Sequence, residues 1–339
     1  MSRRPALAAL VLLSLGAATA SPQTDSPHTD PPRLAVVLSG GGARGIAHIG
    51  ALRALEEAGI PVDAIAANSM GAVVGGVYAT GRTTDELEEI VLSVDWNTMF
   101  SGRPDRRMVP VARRHDRFRT FAGVDFSWSG PELGSGILAE HRINRFLIEQ
   151  LAPAGYAAGT DFDRLPIPFR CVATALDDGQ RVVLENGDLA LAVRASMSIP
   201  VAFPPVEWQG RPLVDGLVVD NLPVDVGRDF GAAVLVAVDI GSPPLKPEDY
   251  RSSLGVATQV MDLLVARRNE DFDAAADVLV KPDLGDHSSG KYSGFEPLMA
   301  AGYEAMKAAI PEIREKLAAA GYGGDLERRE LFGPTRVLE

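Results

Sequence analysis

The sequence predicts an α/β fold in which a mainly parallel sheet is covered by helices on both faces. Short, almost entirely apolar runs alternate with amphipathic helical patterns from residue 34 onward. These apolar runs lack a polar alternation, which is typical of parallel strands buried on both faces. No internal repeat and no further linker divide the chain after Pro32, so we expect the rest of the chain to form one domain.

The first half of the chain contains five predicted elements. Glycines at 59 and 81 end two of the helices, because glycine readily takes the left-handed conformation that follows a helix C-terminus. Thr83 or Thr84 caps the next helix. In chain order, the elements are a strand at 34–39, a helix at 43–58, a strand at 64–67, a helix of small residues at 70–80 and an amphipathic helix at 84–94.

A loop-rich stretch at 95–135 separates this half from the second. In the second half of the chain, Pro200 ends a helix, and the valine-rich run at 234–239 predicts a buried strand. In chain order, the elements are a helix at 138–151, paired strands at 169–176 and 181–184, a helix at 189–197, strands at 212–214 and 234–239, a helix at 257–272, a strand at 278–281 and a helix at 303–320.

The N-terminus has the pattern of a secretory signal peptide at residues 1–20. Arg3 and Arg4 precede an apolar run at 7–15, and Ala18-Thr19-Ala20 provides a small-x-small cleavage site. The run is short for a bilayer span, although an uncleaved anchor is the alternative. Residues 21–33 read as a flexible linker. The pattern predicts an exported protein, periplasmic or secreted, that can associate with a membrane.

Composition narrows the possible partners. The 339 residues carry a formal net charge of −12, which argues against a nucleic-acid partner. The single cysteine, Cys171, lies in a predicted buried strand and reads as an inert thiol. Between Arg103 and Arg119 the sign of charge reverses, with seven arginines. We interpret this stretch as a peripheral contact for anionic lipid, and a solvated loop that pairs with acidic neighbours is the alternative.

Glycines join the first strand to the first helix. Gly40, Gly42 and Gly45 match G-x-G-x-x-G, with Gly41 and Arg44 between them. A dinucleotide site would need an acidic residue at the end of the next strand, whereas Asp63 begins that strand. The other functional interpretation is an oxyanion hole, in which backbone N–H groups approach an acyl oxygen closely. A glycine turn without a ligand remains the plain alternative.

The segment Ala67-Asn68-Ser69-Met70-Gly71 lies between an apolar strand and a helix of small residues. This is the strand–turn–helix context of a nucleophile elbow, in which a sharp turn exposes a serine hydroxyl. Its place at a helix N-terminus favours developing negative charge on the hydroxyl oxygen. The alternative is that Ser69 only caps the helix.

A nucleophilic serine needs a general base. None of the five histidines lies in a motif that marks it as the base; these are His28, His48, His115, His141 and His287. Asp215, followed by Gly216 and Leu217, comes directly after a short predicted strand. A partly desolvated aspartate at such a turn can accept the serine proton. An ordinary Asp-Gly turn is the alternative.

The order of glycine turn, serine elbow and Asp-Gly pair resembles the patatin-like phospholipases, in particular bacterial members of the neuropathy-target-esterase type. The likeness continues through residues 47–52, 195–200 and 203–206, and it covers roughly residues 34–240. Two departures from the family pattern are Ala67, where the first elbow glycine is usual, and Leu217, where glycine or alanine often follows Asp-Gly.

The resemblance implies a three-layer α/β/α sandwich with a catalytic domain at residues 34–240 and a helical extension at residues 241–339 packed on the same domain. It implies hydrolysis of phospholipid or lysophospholipid esters without a metal or another cofactor. Carried over by position, Ser69 is the nucleophile and Asp215 the base, and the backbone of Gly41 and Gly42, with Arg44 nearby, stabilises the oxyanion. An acyltransferase with the same nucleophile, or an exported lipid-binding module without turnover, are the competing functions.

Overall fold

The computed structural model describes residues 33–99, 124–127, 130–133, 140–200, 202–241 and 275–323. Four of the sequence predictions lie outside these ranges. They are the signal peptide at 1–20, the linker up to residue 32, the arginine-rich stretch at 103–119 and the helix at 257–272.

Ten strands form two sheets in the described ranges. The small sheet is an antiparallel hairpin of β3 and β4, and the other eight strands form the central sheet. The strands are β1 Leu34–Leu38, β2 Ala64–Ala67, β3 Val124–Ser127, β4 Gly130–Leu133, β5 Phe169–Ala175, β6 Arg181–Leu184, β7 Val206–Trp208, β8 Arg211–Asp215, β9 Val234–Val238 and β10 Val278–Val280.

The helices of the described ranges are mostly short, apart from two that exceed fifteen residues. They are α1 Ala47–Glu57, α2 Ser69–Ala79, α3 Thr84–Ser93, α4 Trp96–Met99, α5 His141–Ala157, α6 Leu189–Ser196, α7 Val224–Arg228 and α8 Glu296–Ala319.

The central sheet is mixed but mostly parallel. Its strand order is β10–β9–β1–β2–β5–β8–β7, with β6 also paired to β5. The ladders from β10 to β5 are parallel, whereas β6, β7 and β8 pair antiparallel to their neighbours. The prediction of a mainly parallel central sheet is therefore confirmed, with an antiparallel region at one end.

Alternate residues of the central strands enter two separate cores. Leu34, Val36 and Leu38 of β1 face the larger core, together with side chains of α1, α2, α6 and α8. Ala35 and Val37 face the smaller core, which α7 covers. Burial on both faces explains why these strands read as continuous apolar runs, and it gives the layered α/β/α sandwich.

The helix α8 lies directly against α1. A Cβ atom added at Gly50 of α1 would overlap the carbonyl of Met299, and one added at Gly302 of α8 would overlap the carbonyl of Ala47. The two backbones therefore approach closely because both contact positions are glycines. Together with β10, which pairs with β9, this contact joins residues 275–323 to the sheet that holds the site.

Several element boundaries differ from the predictions. The helix expected from residue 43 begins as a 3₁₀ helix at Gly42–Ile46, and the α-helix starts at Ala47. The helix expected to end at residue 151 continues through Pro153, which faces solvent where water can satisfy the carbonyl that proline leaves unpaired. The predictions missed β7, in which Glu207 interrupts the apolar run, and α7, which has only five residues.

Among the described residues, no helix is both long and apolar enough to cross a bilayer.

Candidate active site

The serine elbow forms at the end of β2. Ser69 is the first residue of α2 and has a φ of 52°, which few non-glycine residues adopt. The cap position is Asn68, and the Asn68 side chain makes no capping bond to the helix. Ser69 therefore has the strained conformation that presents its hydroxyl group at a tight turn, and it does not act as the helix cap.

The topology brings Asp215 to this elbow. β2 runs parallel to β5 and ends with Ala67 opposite Cys171. β8 runs antiparallel to β5 and ends with Asp215 opposite Ala173. β6 pairs with β5 at both Cys171 and Ala173, so β6 occupies one edge of β5. Because β2 and β8 pair with β5 at these same two residues, they must share its other edge. Their carboxyl ends therefore point at each other and nearly meet.

Ser69 and Asp215 are in direct contact. The Ser69 Oγ donates a hydrogen bond to Asp215 Oδ2 at 2.7 Å. Asp215 Oδ1 accepts from the Leu217 N–H at 2.8 Å and from Asn68 Nδ2 at 3.3 Å. Because these two donors hold one carboxylate oxygen, the other oxygen is directed at the serine hydroxyl. Both Ser69 and Asp215 are buried.

Burial sets the proton affinity of this carboxyl group. It raises the pKa of Asp215 from 3.8 to about 7, against the hydrogen bonds from Ser69, Leu217 and Asn68, which lower it. A base with a pKa near neutrality combines a useful ionised fraction with a useful affinity for the proton. The geometry and the pKa together suit proton transfer from Ser69 to Asp215.

This pKa predicts the pH dependence of any reaction that uses Asp215 as a base. The rate kcat/KM is expected to fall about tenfold for each pH unit below about pH 7, because the carboxylate must be ionised to accept a proton. Initial rates with a soluble ester across a pH series measure this limb. A rate that stays constant from about pH 5 to about pH 8 would contradict the assignment of Asp215 as the base.

The glycine turn passes beside Ser69. The N–H groups of Gly40, Ala43 and Arg44 donate to the carbonyls of Asn221, Ser289 and Gly41, respectively. Within the described part of the chain, the N–H groups of Gly41 and Gly42 donate no hydrogen bond. Because no described group pairs with them, these two N–H groups are available to donate to a ligand.

Close approach explains the glycines of all three motifs. A Cβ atom at Gly40 would lie 2.8 Å from the Cβ of Ser69, and one at Gly216 would overlap the side chain of Asn68. A Cβ atom added at Gly45 would overlap the side chain of Met70, and one added at Gly71 would overlap the carbonyls of Leu38 and Ser39. The three segments meet so tightly that a side chain at any of these positions would separate them.

The side chain of Arg44, a residue of the glycine turn, binds backbone carbonyls of two other segments. Its buried guanidinium donates hydrogen bonds to four backbone carbonyls, at distances from 2.9 to 3.1 Å. These carbonyls belong to Ile240, Gly241, Gly285 and His287. Arg44 therefore fastens the turn after β9 and the segment after β10 to the glycine turn.

The segment at 285–292, beyond the predicted main domain, also reaches the site. The Ser289 carbonyl accepts the N–H of Ala43 at 2.8 Å. Burial, followed by the nearby Asp215 carboxylate, raises the pKa of the Tyr292 phenol. Tyr292 stacks on Trp96 with ring centroids 5.3 Å apart. Nothing in the local sequence of this segment indicated its place, because only the packing of β10 and α8 brings it there.

Sequence reasoning also missed Ser196 and Asn221. The Ser196 Oγ accepts from the Ser69 N–H at 3.0 Å and donates to Asn68 Oδ1 at 3.3 Å. Asn221 Oδ1 accepts from Asn68 Nδ2 at 3.1 Å. Both residues lie close in sequence to recognised motifs, so their positions were the available signal, whereas their partners were not readable.

The histidines of the described ranges have other partners. Nε2 of His48 hydrogen-bonds the Ser39 carbonyl at 2.8 Å, and burial lowers the pKa of His48 to about 4. Since a carbonyl can only accept, Nε2 carries a proton, and the lowered pKa favours the neutral ring near pH 7. His287 Nε2 lies 2.9 Å from the Lys291 carbonyl. His141 begins α5 at the surface, while His28 and His115 lie outside the described residues.

Among the described residues, neither Cys171 nor a metal cluster forms a second centre. Cys171 is buried, and burial raises the pKa of its thiol, which makes it a poor nucleophile. In the described ranges, no group of three or more histidine, cysteine, aspartate or glutamate side chains is arranged to hold a metal ion.

Comparison with known proteins identifies the family of this chain. The sequence profile of the patatin-like phospholipases matches residues 36–227, more than half of the chain. An uncharacterised NTE family protein of Mycobacterium bovis is 33% identical over 245 residues, which cover 72% of this chain and 59% of that protein. The lysophospholipase NTE1 of Cryptococcus neoformans is 35% identical over 223 residues, covering 66% of this chain and 12% of the relative.

A patatin-like phospholipase domain-containing protein of Caenorhabditis elegans is 35% identical over 213 residues, covering 62% of this chain and 14% of that protein. The fold and the site define an α/β sandwich with a serine at a strand–turn–helix junction and an aspartate in contact with it. The chain belongs to the patatin-like phospholipase family. It spans 59% or less of the length of each of these three relatives.

Proposed function

We propose that this chain is a lipid acyl hydrolase that cleaves phospholipid or lysophospholipid esters with a Ser69–Asp215 dyad. The hydrogen bond of 2.7 Å between Ser69 Oγ and Asp215 Oδ2, inside a buried site, carries the proposal. Membership of the family supports a lipid ester as substrate, and the similarity to a lysophospholipase supports a single-chain lipid.

In the first half of the reaction, Ser69 Oγ attacks the ester carbonyl carbon while its proton moves to Asp215 Oδ2. The carbonyl oxygen becomes an oxyanion, which the N–H groups of Gly41 and Gly42 stabilise. Donors aimed at such an oxygen typically contribute roughly 3–4 kcal/mol each to the transition state. When the tetrahedral intermediate collapses, the alcohol leaves with the proton from Asp215, and the acyl group stays on Ser69.

In the second half, water attacks the acyl-serine ester and gives its proton to Asp215 Oδ2. The second tetrahedral intermediate uses the same N–H groups. Its collapse releases the fatty acid and returns the proton to Ser69 Oγ, which restores the starting state. One carboxylate therefore serves as base and then as acid in each half, as its pKa near 7 permits.

A panel of lipid esters tests the function. Wild-type protein is incubated with a lysophospholipid, a diacyl phospholipid, a monoacylglycerol and a triacylglycerol, and the released fatty acid is measured. We expect turnover of the phospholipid esters and stoichiometric labelling of Ser69 by a fluorophosphonate, because both need an activated serine.

The same panel separates the competing functions. Transfer of the acyl group to an added alcohol in place of water would indicate an acyltransferase. Lipid binding by folded protein, with no fatty acid released and no label on Ser69, would replace the hydrolase with a lipid-binding module.

A further inference from the structure

Asn221 contacts two of the three motif segments at once. It lies six residues after Asp215 and is 9% exposed. Its backbone carbonyl accepts from the Gly40 N–H at 3.2 Å, and its Nδ2 donates to the Gly40 carbonyl at 3.5 Å. Its Oδ1 accepts from Asn68 Nδ2 at 3.1 Å. Asn221 therefore holds both polar groups of Gly40 and is itself held by the residue next to Ser69.

Gly40 is confined between Asn221 and the serine. A Cβ atom added to Gly40 would lie 2.5 Å from Asn221 Oδ1 and 2.8 Å from the Cβ of Ser69. The peptide that follows carries the N–H of Gly41, and the next one carries the N–H of Gly42. Because the direction of a peptide N–H follows from the orientation of its plane, a residue that fixes Gly40 also sets where these donors point.

We propose that Asn221 is a positioning residue of the reaction, which orients the glycine turn so that the Gly41 and Gly42 N–H groups meet the acyl oxygen. This inference rests on the proposed function and extends it to a residue outside the dyad. Displacing a catalytic donor by about 1 Å costs roughly 100-fold in rate, so a residue that fixes the turn affects the rate without touching substrate.

Asn68 provides the comparison that makes the proposal testable. Its Nδ2 donates both to Asp215 Oδ1 and to Asn221 Oδ1, at 3.3 and 3.1 Å. The bond to Asp215 lowers the pKa of that carboxyl group, whereas Asn221 makes no hydrogen bond to Asp215 within the described residues. Loss of Asn68 therefore changes the base and also removes a partner of Asn221, whereas loss of Asn221 leaves the hydrogen bonds of Asp215 in place.

The experiment compares Asn221→Ala and Asn68→Ala with Asn186→Ala, a control at an exposed position. For Asn221→Ala, we expect kcat to fall about 10- to 100-fold with little change in KM, and the acid limb of the pH profile to stay at its wild-type position. For Asn68→Ala, we expect that limb to move to higher pH. The control keeps the wild-type rate and profile.

A trifluoromethyl ketone gives a second readout, because its adduct with the serine places an oxyanion where the substrate oxyanion forms. In Asn221→Ala, its inhibition constant is expected to rise by the same factor by which kcat/KM falls. A residue that matters only for folding would lower the melting temperature without this parallel change.

Asn221→Asp has nearly the same shape as the native residue and serves if the alanine variant does not fold. It cannot donate to the Gly40 carbonyl, and it adds negative charge near the oxyanion, so its kcat is expected to fall at least as far. Wild-type kcat and an unchanged inhibition constant in the folded variants would overturn this inference while leaving the proposed function intact. A wild type that neither hydrolyses esters nor labels at Ser69 would overturn both.

Discussion

Replacing Ser69 with alanine is expected to reduce ester hydrolysis by about 10⁴-fold or more. Alanine lacks the oxygen that forms the acyl bond, and no acyl-enzyme can arise. The Cβ that packs against Gly40 is retained, so the elbow keeps its shape. Fatty-acid release from the best ester of the panel measures the loss, and fluorophosphonate labelling of the variant is expected to be absent.

Two further variants sharpen this result. Ser93→Ala removes an exposed hydroxyl on α3 and should leave rate and labelling unchanged. Ser69→Gly should be as inactive as Ser69→Ala but more stable by about 1–2 kcal/mol, since glycine adopts the φ of 52° without strain. A folded Ser69→Ala protein within about tenfold of the wild-type rate would mean that another group is the nucleophile.

Replacing Asp215 with asparagine is expected to reduce the rate by about 10³- to 10⁴-fold. The amide has the size of the carboxylate and can accept from Leu217 and Asn68 through its oxygen, but it cannot take the proton of Ser69. The acid limb of the pH profile should disappear with the residue that titrates.

The same variant is expected to be more stable than the wild type above about pH 7. Folding raises the pKa of Asp215 from 3.8 to about 7, so the folded state binds more protons than the unfolded state between these values. Stability therefore falls as pH rises through this range, by up to about 4 kcal/mol at one site. Asparagine does not ionise, so the melting temperature of the variant should exceed that of the wild type at about pH 8 and equal it at about pH 4.

Histidine variants are the matched controls for the base. His287→Ala removes a half-buried ring, and His48→Gln keeps an N–H for the Ser39 carbonyl. Because a general base contributes about 10²- to 10⁴-fold, both variants should lose far less than 100-fold. A histidine variant that is folded and as inactive as Ser69→Ala would indicate a triad. An Asp215→Asn protein that keeps its activity and its acid limb would exclude the dyad.

Local sequence predicted the elements that have a strong period or a clear boundary. Apolar runs identified β1, β2, β5 and β9, and Gly59 and Gly81 marked helix ends with positive φ as expected. It missed β7 and α7, and it placed the β3–β4 hairpin in a loop. Polar residues interrupt each of these short segments, so none of them shows a continuous apolar run or a clear period.

The features of the candidate site also fall into those that the sequence indicated and those that depend on the folded structure. Ser69 and Asp215 became candidates because each lies at a turn after a predicted strand, and their order along the chain with the glycine turn carried the family resemblance. Their contact was not predictable from local pattern, since it depends on two strands that meet end to end along one edge of β5. The contributions of Asn221, Ser196 and the segment at 285–292 are likewise tertiary, because hydrogen bonds between distant residues leave no local signal.

For this protein, the sequence by itself determined the layered α/β fold and the serine, aspartate and glycines of the site. Periodicity and turn chemistry are local properties, and each of these features depends on them. Only the tertiary structure decided that Asp215 is a buried carboxyl group with a pKa near 7 and that Arg44 holds backbone carbonyls. Burial and long-range hydrogen bonds exist only after the chain has folded, and they set the proton affinity and the direction of each group.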